Sequence, residues 1–241
     1  MNRLERPLDG LLHLMDRQVI DSEDLLVCKC DDLELEQHED GTLTVTALLV
    51  GAPVWVPRVS SWLGERWRRL GGAQSDRQRP YRIDLADIAQ VSQEIHLRRE
   101  RDGVLRRQDP ERASVRRLVD DLLGADVVGP GDEHLGNVLD VRLAPTRDAR
   151  DPALDLTGLL VGRGRPGSYL GYDRSDDQGP WLVRRIVRRL HRHSGMISAT
   201  DIDEIDWDRG MVRARTGLGE LTNVDATVDP SERDELRHER S

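Results

Sequence analysis

The residues best suited to binding chemistry lie in a basic amphipathic segment, residues 181–193. On a helix, its leucine, valine and isoleucine side chains would form one stripe and its arginines another. Such a helix can lie on anionic lipid, follow a phosphate backbone or face an acidic protein. The alternative is a surface helix whose apolar face covers its own domain. The candidate partner-binding residues are Trp181, Arg184, Arg185, Arg188, Arg189 and Arg192.

The two cysteines, Cys28 and Cys30, raise the possibility of a metal or redox site. Structural zinc sites usually space paired cysteines by about two to four residues and add a second pair or histidines. Here one residue separates the cysteines within a predicted strand, so both side chains share a face. His13 and His38 show no ligand spacing. We therefore expect the cysteines to behave as small buried hydrophobic residues without a metal.

Histidines and acidic residues form two further groups. His191 and His193 would diverge on a helix, so we interpret them as residues of a helix end rather than, with His134, as metal ligands. Thr200 or Asp201 is expected to cap a helix. The acidic group lacks the glycine and the bidentate glutamate of a calcium loop, and it could pair with the arginine-rich segment. Its members are Asp201, Asp203, Glu204, Asp206 and Asp208.

Sequence motifs of common enzyme classes are missing. The chain has neither a Gly-x-x-x-x-Gly-Lys phosphate-binding loop nor a Gly-x-Ser-x-Gly nucleophile elbow. The glycine-rich residues 162–167 follow a predicted strand without a clear helix start, which favours a loop over a phosphate site. We predict that the protein is not an enzyme and has no catalytic residues, metal or cofactor.

Composition indicates a soluble cytoplasmic chain. The 241 residues carry a formal net charge of −9, which argues against attraction of the whole surface to nucleic acid or anionic lipid. Lys29 is the single lysine, and the arginine bias is typical of a GC-rich, bacterial genome. The first residues lack the apolar core of a signal peptide. Two closely spaced cysteines fit a reducing compartment.

The chain contains the same pattern twice. Residues 15–35 run in register with residues 123–143, and residues 43–51 resemble residues 154–162. Such self-similarity predicts two equivalent structural units. We expect a first domain at 11–105, a linker at 106–117, a second domain at 118–215 and a disordered acidic tail at 216–241. A feature found in both copies is expected to belong to the fold, and a feature found in one copy is a candidate site.

Alternating hydrophobicity and turn residues predict a mainly β fold, with about five strands and one helix in each copy. These numbers favour two small closed or nearly closed barrels in tandem, each with a short surface helix. Because Arg68-Arg69-Leu70 matches Arg188-Arg189-Leu190, the helix is expected in both copies, at 59–70 and at 181–190. The predicted strands of the first copy are 19–20, 26–35, 44–50 and 91–97, followed by a turn near Asp102-Gly103 and a return through Val104-Leu105. Those of the second copy are 127–128, 134–143, 155–161 and 204–207, followed by a turn near Arg209-Gly210 and a return through Met211-Val212.

The order of these elements resembles the PRC-barrel family, which includes the H subunit of photosynthetic reaction centres and the C-terminal domain of a ribosome maturation factor. The family's strand, its Gly-Asp turn and its Gly-x-Val-x-Asp stretch correspond to Val127-Val128, Gly131-Asp132 and residues 135–141. Residues 156–162 and 197–205 match its later elements. The resemblance covers residues 11–215 as two copies, although Cys28 and Cys30 replace the expected glycine and valine.

The resemblance implies docking without shared catalytic residues. We therefore expect a cytoplasmic, non-enzymatic adaptor that binds a protein partner through PRC-like barrels. Association with RNA or the ribosome is an alternative, by analogy with the maturation factor. A peripheral module on an anionic membrane surface is another, by analogy with the reaction-centre subunit. The partner's identity, the oligomeric state, joint action of the two barrels and a redox role for the cysteines stay open.

Overall fold

The computed structural model describes residues 3–51, 79–108, 114–146, 152–162, 194–217 and 222–223. The predicted mainly β fold is confirmed: strands dominate these ranges, and the helical segments are single turns. The predicted surface helices at 59–70 and 181–190 lie outside the described residues. β17 (Thr222–Asn223) is part of the predicted tail, so ordered structure extends past residue 216.

In the first copy, the strands alternate with short turns. A 3-10 turn, Leu85–Asp87, connects two of them. Ahead of the copy lie a 3-10 turn at Arg3–Glu5, β1 (Leu8–Asp9) and α1 (Gly10–His13). The strands are β2 (Gln18–Ile20), β3 (Leu26–Lys29), β4 (Asp32–Gln37), β5 (Leu43–Val50), β6 (Tyr81–Asp84), β7 (Ile88–Val91) and β8 (Ile95–Leu97).

The predicted linker contains two short strands, and the second copy repeats the order of the first. A π-helical turn, Leu118–Leu122, precedes this copy, and the 3-10 turn Ala199–Asp201 lies within it. The strands are β9 (Arg106–Arg107) and β10 (Val115–Arg117) in the linker, then β11 (Asp126–Val128), β12 (His134–Pro145), β13 (Leu154–Gly162), β14 (Ser194–Ser198), β15 (Ile202–Asp206) and β16 (Met211–Ala214).

Strand pairing follows the same plan in both copies. β5 pairs with β6 through Leu48 and Ile83, and β13 pairs with β14 through the corresponding Leu159 and Ile197. The parallel pair of β2 with β8 corresponds to the parallel pair of β11 with β16. Along β5, seven of eight residues are buried, as in a strand covered on both faces. The sequence similarity of the copies therefore extends to their hydrogen-bond registers.

The sheets are open, so the prediction of closed barrels is wrong for the part of the chain that the structure describes. No pairing there joins β6 to β7 or β14 to β15. Three strand pairs join the copies instead: β5 with β13, β1 with β12, and β10 with β4. As a result, a 13-stranded sheet runs through both copies beside a four-stranded sheet of β3, β2, β8 and β7.

The copies differ where cysteine replaces glycine. Gly136 has a φ of 141°, and a Cβ built there would lie 2.7 Å from the carbonyl oxygen of Gly162. This close approach lets β12 continue as one unbroken strand that pairs with both β11 and β13. The equivalent residue is Cys28, whose side chain excludes such an approach. The corresponding strand is divided into β3 and β4, which lie in different sheets.

The prediction of one strand at 26–35 was therefore wrong, and so were two further details of the predicted strands. Residues 91–97 form a hairpin instead of one strand, because the chain turns between Val91 and Ile95, where the backbone N–H of Ser92 donates to the carbonyl of Glu94. The predicted return through Val104-Leu105 is not a strand. In the second copy, the predicted turn near Arg209-Gly210 is confirmed by the pairing of β15 with β16.

One continuous hydrophobic core serves both copies. It includes Leu33, Leu48 and Ile83 of the first copy together with Val141 and Leu159 of the second. Residues before each copy also enter it, among them Leu8, Leu14, Leu118 and Leu122. Burial of these leucines contributes roughly 1.5–3 kcal/mol for each side chain. The two copies thus stabilise one another through shared apolar contacts.

Candidate functional site

Each copy is preceded by a short stretch that we call a leading segment: residues 8–14 for the first copy and residues 116–122 for the second. Extending the alignment of residues 15–35 with 123–143 backwards places Leu8 with Arg116 and Asp9 with Arg117. Both segments consist of a short strand followed by one helical turn. They are therefore equivalent parts of the two copies.

The leading segments are exchanged between the copies. In the first segment, Leu8 pairs with Leu143 and Asp9 with Arg142, both on β12. In the second, Arg116 pairs with Leu35 and Arg117 with Glu34, both on β4. Since Leu143 corresponds to Leu35 and Arg142 to Glu34, the two pairings have the same register. Each copy thus holds the other copy's leading segment by strand addition.

A buried aspartate fixes each exchanged segment. The backbone N–H of Leu11 donates to Asp140 Oδ1 at 2.7 Å, and the N–H of Val119 donates to Asp32 Oδ1 at 2.9 Å. Each carboxyl oxygen also accepts the N–H of the next residue on its own strand at 2.7 Å. The first N–H groups of a helical turn lack partners within the turn. Asp140 and Asp32 therefore act as caps supplied by the opposite copy.

The site around Asp140 is rich in negative charge. Asp9 forms an ion pair with Arg142, with 2.7 Å between Oδ1 and Nε. Burial, opposed by the Arg142 charge, raises the pKa of Asp9. Burial and, second, the Asp9 charge raise the pKa of Asp140 to about 8. The Asp140 carboxyl group therefore keeps its proton to a higher pH than an exposed aspartate does.

The equivalent position in the first copy has the opposite charge. Glu34 is buried where the second copy has Arg142. Its carboxylate lies 3.3 Å from Arg82 Nη2 and accepts hydrogen bonds at 3.0 Å from Thr46 and Gln108. Its strand neighbour, Arg117, occupies the position of Asp9. The two sites share backbone geometry but differ in the sign of both charges.

Polar residues also lie where the central strands of the two copies meet. Thr44 lies opposite Asp155 in the β5–β13 pair. His38 Nε2 lies 2.5 Å from Thr44 Oγ1, and the corresponding Thr146 donates to Asp155 at 2.7 Å. Farther away, Trp207 Nε1 donates to the side-chain oxygen of Gln37 at 3.0 Å. The contact between the copies is therefore partly polar and specific in register.

The predicted partner-binding residues lie outside the described residues. So do His191 and His193, whereas His134 is exposed at the start of β12. The structure neither supports nor opposes their predicted roles. They are Trp181, Arg184, Arg185, Arg188, Arg189 and Arg192.

The acidic group at 201–208 makes local contacts. Asp203 pairs with Arg215 at 3.1 Å, and Asp206 with Arg209 at 3.7 Å. The predicted cap was wrong: Ser198 caps the 3-10 turn, because the N–H of Thr200 donates to its hydroxyl at 3.4 Å. The cap shifted because a single 3-10 turn replaces the predicted helix. Asp203 and Asp206 are thus paired locally, and pairing of the acidic group with the arginine-rich segment stays a prediction, because that segment lies outside the described residues.

The cysteines lie at the break between β3 and β4. The prediction of a buried residue is confirmed for Cys30, which is fully buried, while Cys28 is partly buried. Burial and then the Asp31 charge raise the pKa of Cys28 to about 12. Burial and nearby acids also hold the pKa of Cys30 well above its usual value. Thiolates, the reactive and metal-binding form, are therefore disfavoured at both residues.

Sequence reasoning missed the exchanged segments and the roles of Asp32 and Asp140. A signal was present: Leu11 and Leu14 align with Val119 and Leu122 when the repeat is extended backwards. The Gly-x-Val-x-Asp stretch at 136–140 also contains Asp140. Neither pattern says which copy's strand a segment joins, because strand addition uses the same backbone groups on either copy.

The described surface offers few further signs of a ligand. Leu25 and Leu26 are 44% and 57% exposed, the only large exposed apolar side chains in the described ranges. Within those ranges, no three histidine, cysteine or acidic side chains are grouped to hold a metal ion. No described helix has the length and apolar character needed to cross a membrane. No protein-family model and no curated protein matches this chain.

Proposed function

We propose that this protein is a non-enzymatic, cytoplasmic docking module that binds a protein partner through two PRC-barrel-like units. The observation that carries the proposal is the strand addition at equivalent sites of both copies. Each copy already binds a stretch of chain from outside itself through main-chain pairing, apolar burial and a buried aspartate. Domains that recruit peptides by strand addition use the same combination.

Main-chain pairing provides binding strength, and side-chain pockets provide selectivity. On β12, the first leading segment places Leu8 and Leu11 in the core and Asp9 against Arg142. A partner bound in the same mode would present an extended segment with spaced apolar residues and a charge opposite Arg142 or Glu34. This recognition chemistry favours a protein partner over RNA or lipid.

The arginine-rich segment is a second part of the proposed contact surface. It ends next to β14, the strand that begins at Ser194. With the net charge of the chain at −9, a local run of arginines would select an acidic patch on a partner rather than attract polyanions generally. We propose that Trp181, Arg184, Arg185, Arg188, Arg189 and Arg192 contact such a patch.

Quantitative affinity capture tests this surface. The full chain, Arg188→Glu/Arg189→Glu and the control Arg98→Glu/Arg101→Glu are compared after nuclease treatment and in detergent. Arg98 and Arg101 are exposed in the first copy. We expect the first variant to lose one defined protein and the control to retain it, with equal thermal stability. Unchanged capture by the first variant, or equal loss in both, contradicts the assignment.

Peptides test the mode of binding. Overlapping synthetic peptides covering the captured protein are titrated against the full chain. Strong binding of a single short peptide supports docking through an extended segment. Binding that requires a folded partner, or that disappears with nuclease treatment, contradicts it, the latter in favour of the RNA alternative. Flotation with anionic vesicles alone would favour the membrane alternative.

A further inference from the structure

We infer that Asp140 is a protonation-controlled clamp, which holds the first leading segment while its carboxyl group is neutral and releases it when the group ionises. Release would uncover the edge of β12 and the core positions filled by Leu8 and Leu11. The inference concerns an opening within the chain, so it is independent of whether the protein docks a partner.

The hydrogen bonding of Asp140 favours a neutral carboxyl group in the closed state. Asp140 is buried, with only 1% of its surface exposed. Oδ1 accepts the N–H groups of Leu11 and Val141, whereas Oδ2 has no hydrogen-bond partner within the described part of the chain. An ionised carboxylate with one unpaired oxygen is expensive to bury. Protonation removes that charge and leaves the Oδ1 contacts in place.

The charges around Asp140 also oppose ionisation of its carboxyl group. Near Asp140, the titratable and charged groups of the packed elements are Asp9 of β1, His13 of α1, Glu5 of the first 3-10 turn and Arg142 of β12 itself, while Asp126 of β11 and Asp155 of β13 lie farther along the sheet. His13 Nδ1 lies 2.8 Å from the backbone nitrogen of Asp9 and 3.2 Å from its carbonyl oxygen. Arg142 is engaged by Asp9. Ionising Asp140 therefore adds a second buried negative charge near Asp9.

The described backbone pairing of the segment with β12 is short. β1 pairs with β12 at only two positions, Leu8 and Asp9. The hydrogen bond from Leu11 is the anchor for the following turn. Asp16, just after the segment, has a φ of 58°, which marks a sharp change of chain direction. These features place the clamp between a short strand and a bend, where local opening does not require unfolding of the copy.

The direction of the pH effect follows from linkage. The carboxyl of Asp140 has a pKa of about 8 in the closed state, against an ordinary value of 3.8 when exposed. Between these values the closed state binds one more proton than the open state. The opening constant should therefore rise about tenfold for each pH unit between roughly pH 5 and 8 and then level off. The closed state is most stable at low pH.

Native-state hydrogen exchange of the Leu11 amide tests the clamp in the full-length protein. Opening constants, corrected for intrinsic exchange, are measured from pH 5 to 9 for the wild type and Asp140→Asn. The asparagine keeps an acceptor for Leu11 but cannot ionise. The matched control is Asp32→Asn, which removes the equivalent carboxyl from the other site. We expect the steep pH dependence in the wild type and control, and a flat profile in Asp140→Asn.

A second variant keeps the test decisive if Asp140→Asn folds poorly. Asp9→Asn removes the neighbouring acid and frees Arg142, so the pH at which opening levels off should fall. The proposal is overturned if Asp140→Asn keeps the wild-type pH dependence, or if Asp9→Asn leaves the profile unchanged. It is also overturned if Asp32→Asn flattens the profile equally, because the opening would then be global.

Discussion

Thr44 lies directly opposite Asp155 where β5 meets β13, and these two residues are equivalent positions of the two copies. An antiparallel pair of equivalent residues places a local pseudo-twofold axis between them. The flanking side-chain contacts obey the same symmetry, since His38 meets Thr44 and Thr146 meets Asp155. The contact therefore resembles the isologous interface of a homodimer joined into one chain.

The exchanged segments follow the same symmetry, but their charges do not. Asp9 faces Arg142, and Arg117 lies opposite Glu34. If each segment joined its own copy instead, Asp9 would lie opposite Glu34 and Arg117 opposite Arg142. Like charges directly opposite each other destabilise a strand pair. The charge pattern therefore favours exchange over self-pairing.

Reversing one charge should weaken the exchanged pairing. Asp9→Arg places two cations together at a site where both side chains are largely buried, so we expect a loss of about 2–4 kcal/mol in the free energy of unfolding. Asp9→Arg/Arg142→Asp restores opposite charges and should recover at least half of that loss. Urea denaturation at pH 7 measures both. A double variant no more stable than Asp9→Arg would contradict a role for charge pairing.

Gly10 marks the closest packing of the first leading segment on β12. A Cβ built at Gly10 would lie 2.8 Å from Val141 Cγ2, inside the core. We expect Gly10→Ala to destabilise the protein by about 1–3 kcal/mol through overpacking. Gly131→Ala is the control, because its Cβ would meet only the flexible carboxylate of Glu133. Thermal melts should separate the two variants clearly, and equal stability would argue against tight packing at Gly10.

Gly136 should tolerate a side chain less well than any surface glycine. Its φ of 141° and the 2.7 Å distance from a built Cβ to the Gly162 carbonyl both oppose alanine. We expect Gly136→Ala to cost at least about 2 kcal/mol in unfolding free energy. Cys28→Ala, at the equivalent position, should change stability by less than about 1 kcal/mol. Comparable losses in both variants would contradict our explanation of the divided strand.

Both cysteines should react slowly in the native protein. Burial raises the pKa of Cys28 to about 12, so at pH 8 only a small fraction is thiolate. Cys30 is more deeply buried, with its pKa shifted in the same direction. Titration with a disulfide reagent at pH 8 should therefore proceed on the timescale of opening and become fast in denaturant. Rapid labelling of native protein would show that the thiols are accessible and activated.

The pattern of apolar and polar residues predicted the positions of individual strands well where it was pronounced. The alternation in the second copy and the apolar run of β5 and β13 gave their positions to within a few residues. The hairpin of β7 and β8 was missed because its turn, Ser92 to Glu94, lacks the glycine, proline or asparagine that usually marks a turn. The turn predicted near Gly103, which has a φ of 80°, is present, but the strands on either side of it, β8 and β9, do not pair with each other.

The sequence by itself determined the mainly β character, the equivalence of the two copies and the burial of Cys30, because each depends on residue type and short-range spacing. Only the tertiary structure decided that the leading segments cross between the copies. Backbone pairing groups are chemically identical on β4 and β12, so choosing between them depends on core packing and on charges brought together from distant positions. Asp140 and Leu11, separated by 129 residues, acquire a joint role only through that folding.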